Sequence, residues 1–390
     1  MLRSSLGFHT VTLSMVLLQP ETSQLFDDLK KYKQETGGVK EYPDDYGNWI
    51  YKFDPNTRGI EWTIRQNIWL NTFRLFVSII DVTINPKILG GISDYITAAT
   101  LDDMKRAIPQ FNTISKTISP LLGTFDDYSL NRVDYCVNLY LPELYDQCCK
   151  PCTDMQIMKL LKKSDIPFQY REWMKYDDKA HRKKSRDSSF YLECNSARIN
   201  CYSKLMKLIE QSKENVEKGY PPIPQAILDD ARGIIRFEIQ CDYHKMYALS
   251  KQAEEAGNRN INKYEYLLSP EVSREIVNSF WNKSIGKGHW YSLQHAVTLI
   301  RSHNFNAQKE DRLIQALQWV NQCRSIPRAK ELFPGDSDTF NRTLKELSNL
   351  GINPVTIPQE WGVDRIWNLL ETYYSKIALD KLALNNPISL

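Results

Sequence analysis

Three segments of the chain alternate between apolar and polar residues with a period of two. They are NRVDYCVNL at residues 131–139, INCYSK at 199–204 and GIIRFEIQC at 233–241. A period of two places successive side chains on opposite faces of a β-strand. Each segment therefore predicts a strand with one apolar face for a core and one face that carries charged or hydrogen-bonding groups.

The polar faces of the three predicted strands carry residues with useful chemistry. They hold Arg132, Asp134, Cys136 and Asn138 in the first strand, Asn200, Tyr202 and Lys204 in the second, and Arg236, Glu238 and Gln240 in the third. If helices cover the apolar side of one shared sheet, these side chains gather on its other side. Two carboxylates from neighbouring strands suit a hard divalent cation such as Mg²⁺ or Mn²⁺.

A tyrosine beside such a site is a candidate nucleophile. Its ordinary pKa is about 10, so an activating or charge-stabilising group has to be close to it. A divalent cation and the ammonium of Lys204 would both stabilise charge on a phosphate. The competing interpretation is structural, because one face of an antiparallel sheet is often solvated and dotted with charges that have no function.

The order of predicted elements indicates an α+β fold. Strands and helices alternate up to about residue 245, which predicts a mainly antiparallel central sheet with helices on one face. Helical periodicity dominates from there on, so we expect a catalytic domain at 1–245 and a helical C-terminal domain at 246–390. Strand candidates are 8–16, 47–53, 59–67, 72–83, 130–140, 188–194, 197–204 and 232–241.

Composition restricts the class of protein. Fifty basic and 47 acidic residues give a net charge of +3, so any nucleic-acid binding must come from local clusters. Eight cysteines are too few for a disulfide scaffold, and no apolar run is long enough for a membrane span. The opening MLRSSLGFHTVTLSMVLLQP fits a first strand better than a signal peptide. We expect a soluble protein in a reducing cytoplasm.

The three segments resemble a known family when taken in order. A strand with an R-[IV]-D core, a strand ending in Y-x-K and a strand with R-F-E resemble the gene II and gene X replication proteins of filamentous phages. They also look like the initiators of Gram-positive rolling-circle plasmids. VTINPKILGG at 82–91 resembles a segment that follows an early strand in the phage proteins. The likeness covers roughly residues 70–245.

The resemblance implies a site-specific DNA endonuclease and strand transferase that acts at a replication origin. Tyr202 would be the nucleophile, Lys204 its phosphate-binding companion, and Asp134 and Glu238 the metal ligands, with Asp81 a weaker third. The implied partners are double-stranded and extruded single-stranded origin DNA, a host helicase and polymerase, and a second copy of the chain. A non-catalytic DNA-binding protein that retains the same sheet is the rival interpretation. No His-hydrophobic-His triplet occurs, so histidine ligation common in the wider nicking class is not expected.

Further residues are candidate DNA contacts. Arg132 and Arg236 lie on the polar strand faces, and the loop KAHRKKSRD at 179–187 adds Arg182, Lys183, Lys184 and Arg186. Such a loop suits backbone phosphates, although a solvated loop is an equal alternative. Tyr170, Trp173 and Tyr176 could stack on bases but more often pack in a core. Cys149 and Cys152 form a C-x-x-C half-site with no second half, and the G-x-x-x-x-G-K-[ST] motif of ATP-driven enzymes is absent.

Overall fold

The structure is a computed structural model of the chain. It describes residues 3–36, 39–43, 49–53, 59–70, 74–92, 96–144, 152–164, 171–172, 188–194, 196–217, 221–255 and 263–385. The basic residues Arg182, Lys183, Lys184 and Arg186, the aromatic residues Tyr170, Trp173 and Tyr176, and Cys149 lie outside the described residues, so their predicted roles stay predictions.

Within the described residues, ten strands form one large sheet, and two short strands form a second. The strands are β1 (Ser5–Leu18), β2 (Val39–Pro43), β3 (Trp49–Phe53), β4 (Ile60–Leu70), β5 (Leu75–Ile84), β6 (Ser129–Tyr140), β7 (Arg171–Glu172), β8 (Ser189–Glu193), β9 (Ala197–Ser203), β10 (Ile234–Cys241), β11 (Trp290–Tyr291) and β12 (Arg365–Ile366). The order in the large sheet is β2-β3-β4-β5-β1-β6-β10-β9-β8-β7, and β11 pairs with β12. The three strands singled out by their alternation, β6, β10 and β9, are neighbours, as predicted.

Helices supply the rest of the regular structure. They are α1 (Gln19–Thr36), α2 (Pro86–Leu89), α3 (Leu101–Ile118), α4 (Leu141–Leu144), α5 (Asp154–Lys162), α6 (Lys204–Glu217), α7 (Gln225–Asp230), α8 (Tyr243–Glu255), α9 (Lys263–Leu267), α10 (Pro270–Ser284), α11 (Leu293–Ser302), α12 (Ala307–Cys323), α13 (Ile326–Glu331), α14 (Ser337–Asn349) and α15 (Leu369–Asn385). Within the described residues no helix combines the length and apolar character needed to cross a membrane.

The chain packs into two compact units. The first unit comprises Met1–Ser5, Val137–Phe237 and Val277–Leu390, and the second comprises Leu6–Cys136 and Glu238–Ile276. The predicted boundary near residue 245 separates a strand-rich part from a helical part of the sequence and stays a prediction.

The second unit is built on β1 and its neighbours. β1 pairs antiparallel with β5, and Leu13 lies opposite Val82 with both side chains buried. α3 begins with a capping box in which Asp103 Oδ2 accepts from the backbone N–H of Thr100 at 2.8 Å. Its apolar face carries Phe111, whose ring lies 6.1 Å from that of Trp62. These contacts give the unit an aromatic core behind the sheet.

The first unit joins β9, β8 and their helices to the C-terminal helices. The ring of Phe237 on β10 meets Trp281 on α10 edge-on, with centroids 5.2 Å apart. The backbone N–H of Ile326 donates to the carbonyl of Lys163 at 3.0 Å, which ties the end of α5 to the start of α13. The C-terminal helices are therefore packed on elements that come much earlier in the chain.

Candidate functional site

One backbone hydrogen bond and one side-chain hydrogen bond set the register between β6 and β10. The N–H of Leu141 donates to the carbonyl of Gly233 at 2.9 Å, and Arg236 Nε donates to Asn138 Oδ1 at 2.7 Å. Residues on the two strands are therefore opposite each other when their numbers sum to 374. By the same register, Cys136 lies opposite Glu238.

Asp134 and Glu238 share one face of the sheet. The register makes them diagonal neighbours on adjacent strands, which corresponds to roughly 7–8 Å between their Cα atoms. Their exposed fractions are only 2% and 3%. A solvated polar face of the ordinary kind would leave these carboxylates in water, so the purely structural interpretation of the alternation does not describe this pair.

Asp134 is held by two neighbouring side chains. Thr10 Oγ1 donates a hydrogen bond to Asp134 Oδ2. Arg132, two residues away on the same face of β6, places its Nε 2.9 Å from Asp134 Oδ1. Burying a carboxylate is costly unless a cation or a hydrogen-bond donor compensates it, and here both are present.

Glu238 is paired with a histidine that the sequence did not single out as a site residue. His9 Nδ1 lies 3.7 Å from Glu238 Oε2, and Gln240 Nε2 donates to Glu238 Oε1 at 3.3 Å. His9 and Thr10 are consecutive residues of β1, and each contacts one member of the acidic pair. No motif around His9 indicated this in the sequence.

Asp81 is engaged elsewhere. Ser14 Oγ donates to Asp81 Oδ1, and Arg65 Nη2 donates to Asp81 Oδ2 at 2.5 Å. Ser14 is four residues from Thr10 along β1, or about 13 Å at the rise of an extended strand. The structure therefore does not bring Asp81 to the pair formed by Asp134 and Glu238, and a single ion could not bind both sites.

Tyr202 lies on β9 in the first unit. It is paired with Ser189 of β8 and is 6% exposed. The preceding residue, Cys201, is fully buried, and burial raises the pKa of its thiol far above the ordinary range. Two further tyrosines, Tyr135 on β6 and Tyr191 on β8, are also sheet residues, and the hydroxyl of Tyr135 donates to the carbonyl of Leu267 at 2.7 Å.

Lys204 is the first residue of a helix and not the last of a strand. β9 ends at Ser203, whose hydroxyl accepts from the N–H of Met206 at 3.4 Å and donates to Asp154 at 2.6 Å. Serine at this position caps a helix, which explains why the chain changes structure there. The period-two argument that placed Tyr202 and Lys204 on one strand face is therefore wrong for Lys204. Lys204 is buried, with 4% of its surface exposed.

The two arginines predicted to contact DNA differ in exposure. The side chain of Arg132 is 37% exposed beside Asp134. Arg236 is fully buried and donates to Asn138. The geometry of Arg236 supports a role in fixing the register of β6 and β10, and only Arg132 offers a surface to a ligand.

A metal site of three or more protein ligands is not present in the part of the chain described. No group of three or more His, Cys, Asp or Glu side chains there is arranged to hold a metal ion. Mg²⁺, however, is often bound by only one or two carboxylates, with water and substrate phosphate completing its shell. The donor chemistry of Asp134 and Glu238 fits that kind of binding.

Comparison with known proteins gives a distant structural likeness. No protein-family model and no curated protein matches the chain. A solved structure that matches is the rolling circle replication initiator protein from Geobacillus stearothermophilus. The match has 11% sequence identity and a TM-score of 0.29, and it covers 72% of this chain and 85% of the other.

Proposed function

We propose that the chain is a replication initiator that nicks and rejoins origin DNA through Tyr202. The phenolic oxygen would attack a phosphodiester, forming an O–P bond to the 5′ phosphate while the 3′ oxygen leaves with a proton. The reverse attack by a 3′ hydroxyl would rejoin the strand and free the tyrosine. The observation that supports this proposal is the buried acidic pair, Asp134 and Glu238, on the adjacent strands β6 and β10.

The acidic pair would hold a divalent cation, Mg²⁺ or Mn²⁺. Such an ion, when bound, makes phosphorus more electrophilic and stabilises charge on the phosphate oxygens. The protein's own contribution is to keep both carboxylates oriented: Thr10 and Arg132 hold Asp134, while His9 and Gln240 hold Glu238. Lys204 would be the phosphate-binding companion of Tyr202. Neighbours that orient ligands in this way commonly change metal affinity when they are replaced.

The partners that follow from this function are origin DNA, in duplex and extruded single-stranded form, and a host helicase and polymerase. The chain lacks the phosphate-loop motif of ATP-driven enzymes, so strand separation would be the work of the helicase. We place the protein in the bacterial cytoplasm, where these partners are found. A homodimer is compatible with the same role.

A second candidate is a non-catalytic DNA-binding protein with the same sheet. The burial of Tyr202, 6% exposed, favours it, because a phenol that attacks DNA has to be uncovered first. The catalytic function therefore requires a rearrangement around Tyr202 when DNA binds. A protein that only binds DNA has no such requirement.

Capture of a covalent adduct separates the two functions. The protein would be incubated with Mn²⁺ and a randomised single-stranded DNA library, then denatured, and DNA that remains attached would be recovered and sequenced. The nicking function predicts an adduct with an enriched sequence that maps to one tyrosine peptide containing Tyr202. Tyr202→Phe should abolish it.

Tyr191→Phe is the matched control, since it removes the same hydroxyl from the neighbouring strand β8. It should leave the adduct unchanged. If the wild-type protein enriched a DNA sequence by binding but retained no DNA after denaturation, the non-catalytic function would be established instead.

A further inference from the structure

A cleft in the first unit is lined by Lys163 and by residues between Ser292 and Asp364, none of which belongs to the acidic pair or to β9. It has a volume of about 910 Å³ and is bordered by α11, the C-terminal end of α12, residues 355–364 and the end of α5. Its lining includes three basic residues, Lys163, Arg301 and Arg324. These cations come from separate places in the sequence, and only folding brings them to one concavity.

The backbone constrains the positions of two of the residues that carry these cations, Arg324 and Lys163. Arg324 ends α12 in the left-handed conformation, with φ of 65°, which a residue other than glycine adopts only when its surroundings impose it. Lys163 caps α5, and its carbonyl accepts from the N–H of Ile326, two residues after Arg324. The segment that carries Arg324 is thus fastened to the residue that carries the second cation.

Three basic and two acidic residues, Glu360 and Asp364, line the cleft, so its lining has a formal charge of +1. Within the described residues, neither Lys163 nor Arg324 forms an ion pair within 4.0 Å. Burial lowers the pKa of Lys163, and the nearby cations Arg324 and Lys159 lower it further, whereas the carboxylate of Glu360 raises it. Arg301 lies 3.5 Å from Glu310. Asp364 also lines the cleft and accepts from the hydroxyl of Ser292 at 3.1 Å. The small positive excess, with two cations that form no ion pair among the described residues, favours a negatively charged ligand.

We infer that this cleft binds the phosphate backbone of duplex DNA through Lys163 and Arg324. The choice of DNA as the anion rests on the proposed function. The lining contains no aromatic ring, so it lacks the stacking surfaces on which single-stranded bases are usually bound. The amide side chains of Gln294, Gln318 and Asn321 also line it and supply neutral hydrogen-bonding groups beside the cations. Contacts of this kind position a protein on DNA without reading its sequence.

Binding to a short mixed-sequence duplex, measured by fluorescence anisotropy at several salt concentrations, tests the inference. Each lost phosphate contact should reduce the slope of log affinity against log salt by about 0.9. Lys163→Gln and Arg324→Gln should therefore each lower the slope by about that amount, and the double variant by about twice as much. The loss should be uniform across duplex sequences.

Arg342→Gln is the matched control, because it removes one positive charge from the exposed face of α14 in the same unit. Its slope should stay that of the wild type. Equal slopes for wild type and the double variant, or an equal loss for Arg342→Gln, would overturn the inference. So would duplex binding that inorganic phosphate or a free nucleotide abolishes at low concentration, since the cleft would then be a small-molecule site.

The adduct assay separates a failure of the cleft inference from a failure of the proposed function. If wild-type protein forms the covalent adduct while the cleft variants bind duplex normally, only the cleft inference fails. If no adduct forms while the variants lose duplex binding as described, the nicking function fails and the cleft stands.

Discussion

Arg236 donates a hydrogen bond from its Nε to Asn138 Oδ1 at 2.7 Å, and both side chains are completely buried. This contact fixes the register of two strands, and that register places Asp134 beside Glu238. Burying a charged guanidinium here costs free energy, which its hydrogen bonds must offset. The contact therefore links the stability of the sheet to the geometry of the acidic pair.

Replacing Asn138 with leucine should destabilise the fold. Leucine is close to asparagine in size but accepts no hydrogen bond, so a buried guanidinium N–H would lose its acceptor. We expect the free energy of unfolding to fall by about 1–3 kcal/mol, as measured by urea denaturation. Asn349→Leu, the same change at an exposed position of α14, should alter it by less than about 0.5 kcal/mol. Similar losses for the two variants would argue against a special role for this contact.

Asp134→Asn and Glu238→Gln should each weaken Mn²⁺ binding at least about tenfold, because each replaces a charged oxygen ligand by a neutral amide. Electron paramagnetic resonance of free Mn²⁺ in a titration measures this directly, with or without DNA. Asp81→Asn is the control, since that carboxylate is engaged by Arg65 and Ser14. If Asp81→Asn weakened binding as much as the other two, the proposed ligand pair would be wrong.

The thiols of Cys201 and Cys194 should differ in reactivity. Both are on the hairpin that presents Tyr202, but Cys201 is fully buried and its pKa is raised by burial, whereas Cys194 is half-buried. Because the thiolate is the reactive form, iodoacetamide should modify Cys194 first in the native protein. Peptide mass spectrometry after brief labelling gives both rates. Equal labelling would mean that β9 is open in solution and that Tyr202 is already accessible.

Stability should fall as the pH drops through about 6.5, owing to His289. Burial lowers the pKa of this histidine, and its Nδ1 accepts from the N–H of Asn368 at 3.0 Å, which requires the unprotonated ring. The unfolded chain therefore takes up a proton at a higher pH than the folded chain. The loss begins near the ordinary pKa of about 6.5 and levels off below the folded value.

Thermal unfolding between about pH 5 and 8 tests this behaviour around the ordinary pKa of histidine. His289→Asn keeps an acceptor but cannot titrate, so its midpoint should change less with pH than that of the wild type. A wild-type and a variant curve with the same slope would assign the pH dependence to other groups.

Much of the architecture could be predicted from periodicity. The segments proposed as strands at 130–140, 197–204 and 232–241 correspond to β6, β9 and β10. β2, by contrast, was missed. Its sequence VKEYP contains two charges and a proline, and it is a strand only because it pairs with β3.

The chemistry of the site was harder to predict than its strands. Alternation identified Asp134 and Glu238 as members of one face, but burial of that face depends on parts of the chain far away. His9 and Thr10 are consecutive in β1 and yet contact Glu238 and Asp134, which a period-two pattern does not predict. At Lys204, a serine cap took precedence over the strand pattern.

The edge-on contact between Phe237 and Trp281 has an implication for dividing the chain into fragments. A fragment that ended near residue 245 would lack the indole that packs against Phe237, whose side chain is completely buried in the whole chain. Such a fragment is expected to expose an apolar ring and to aggregate unless a ring of matching shape is supplied from elsewhere.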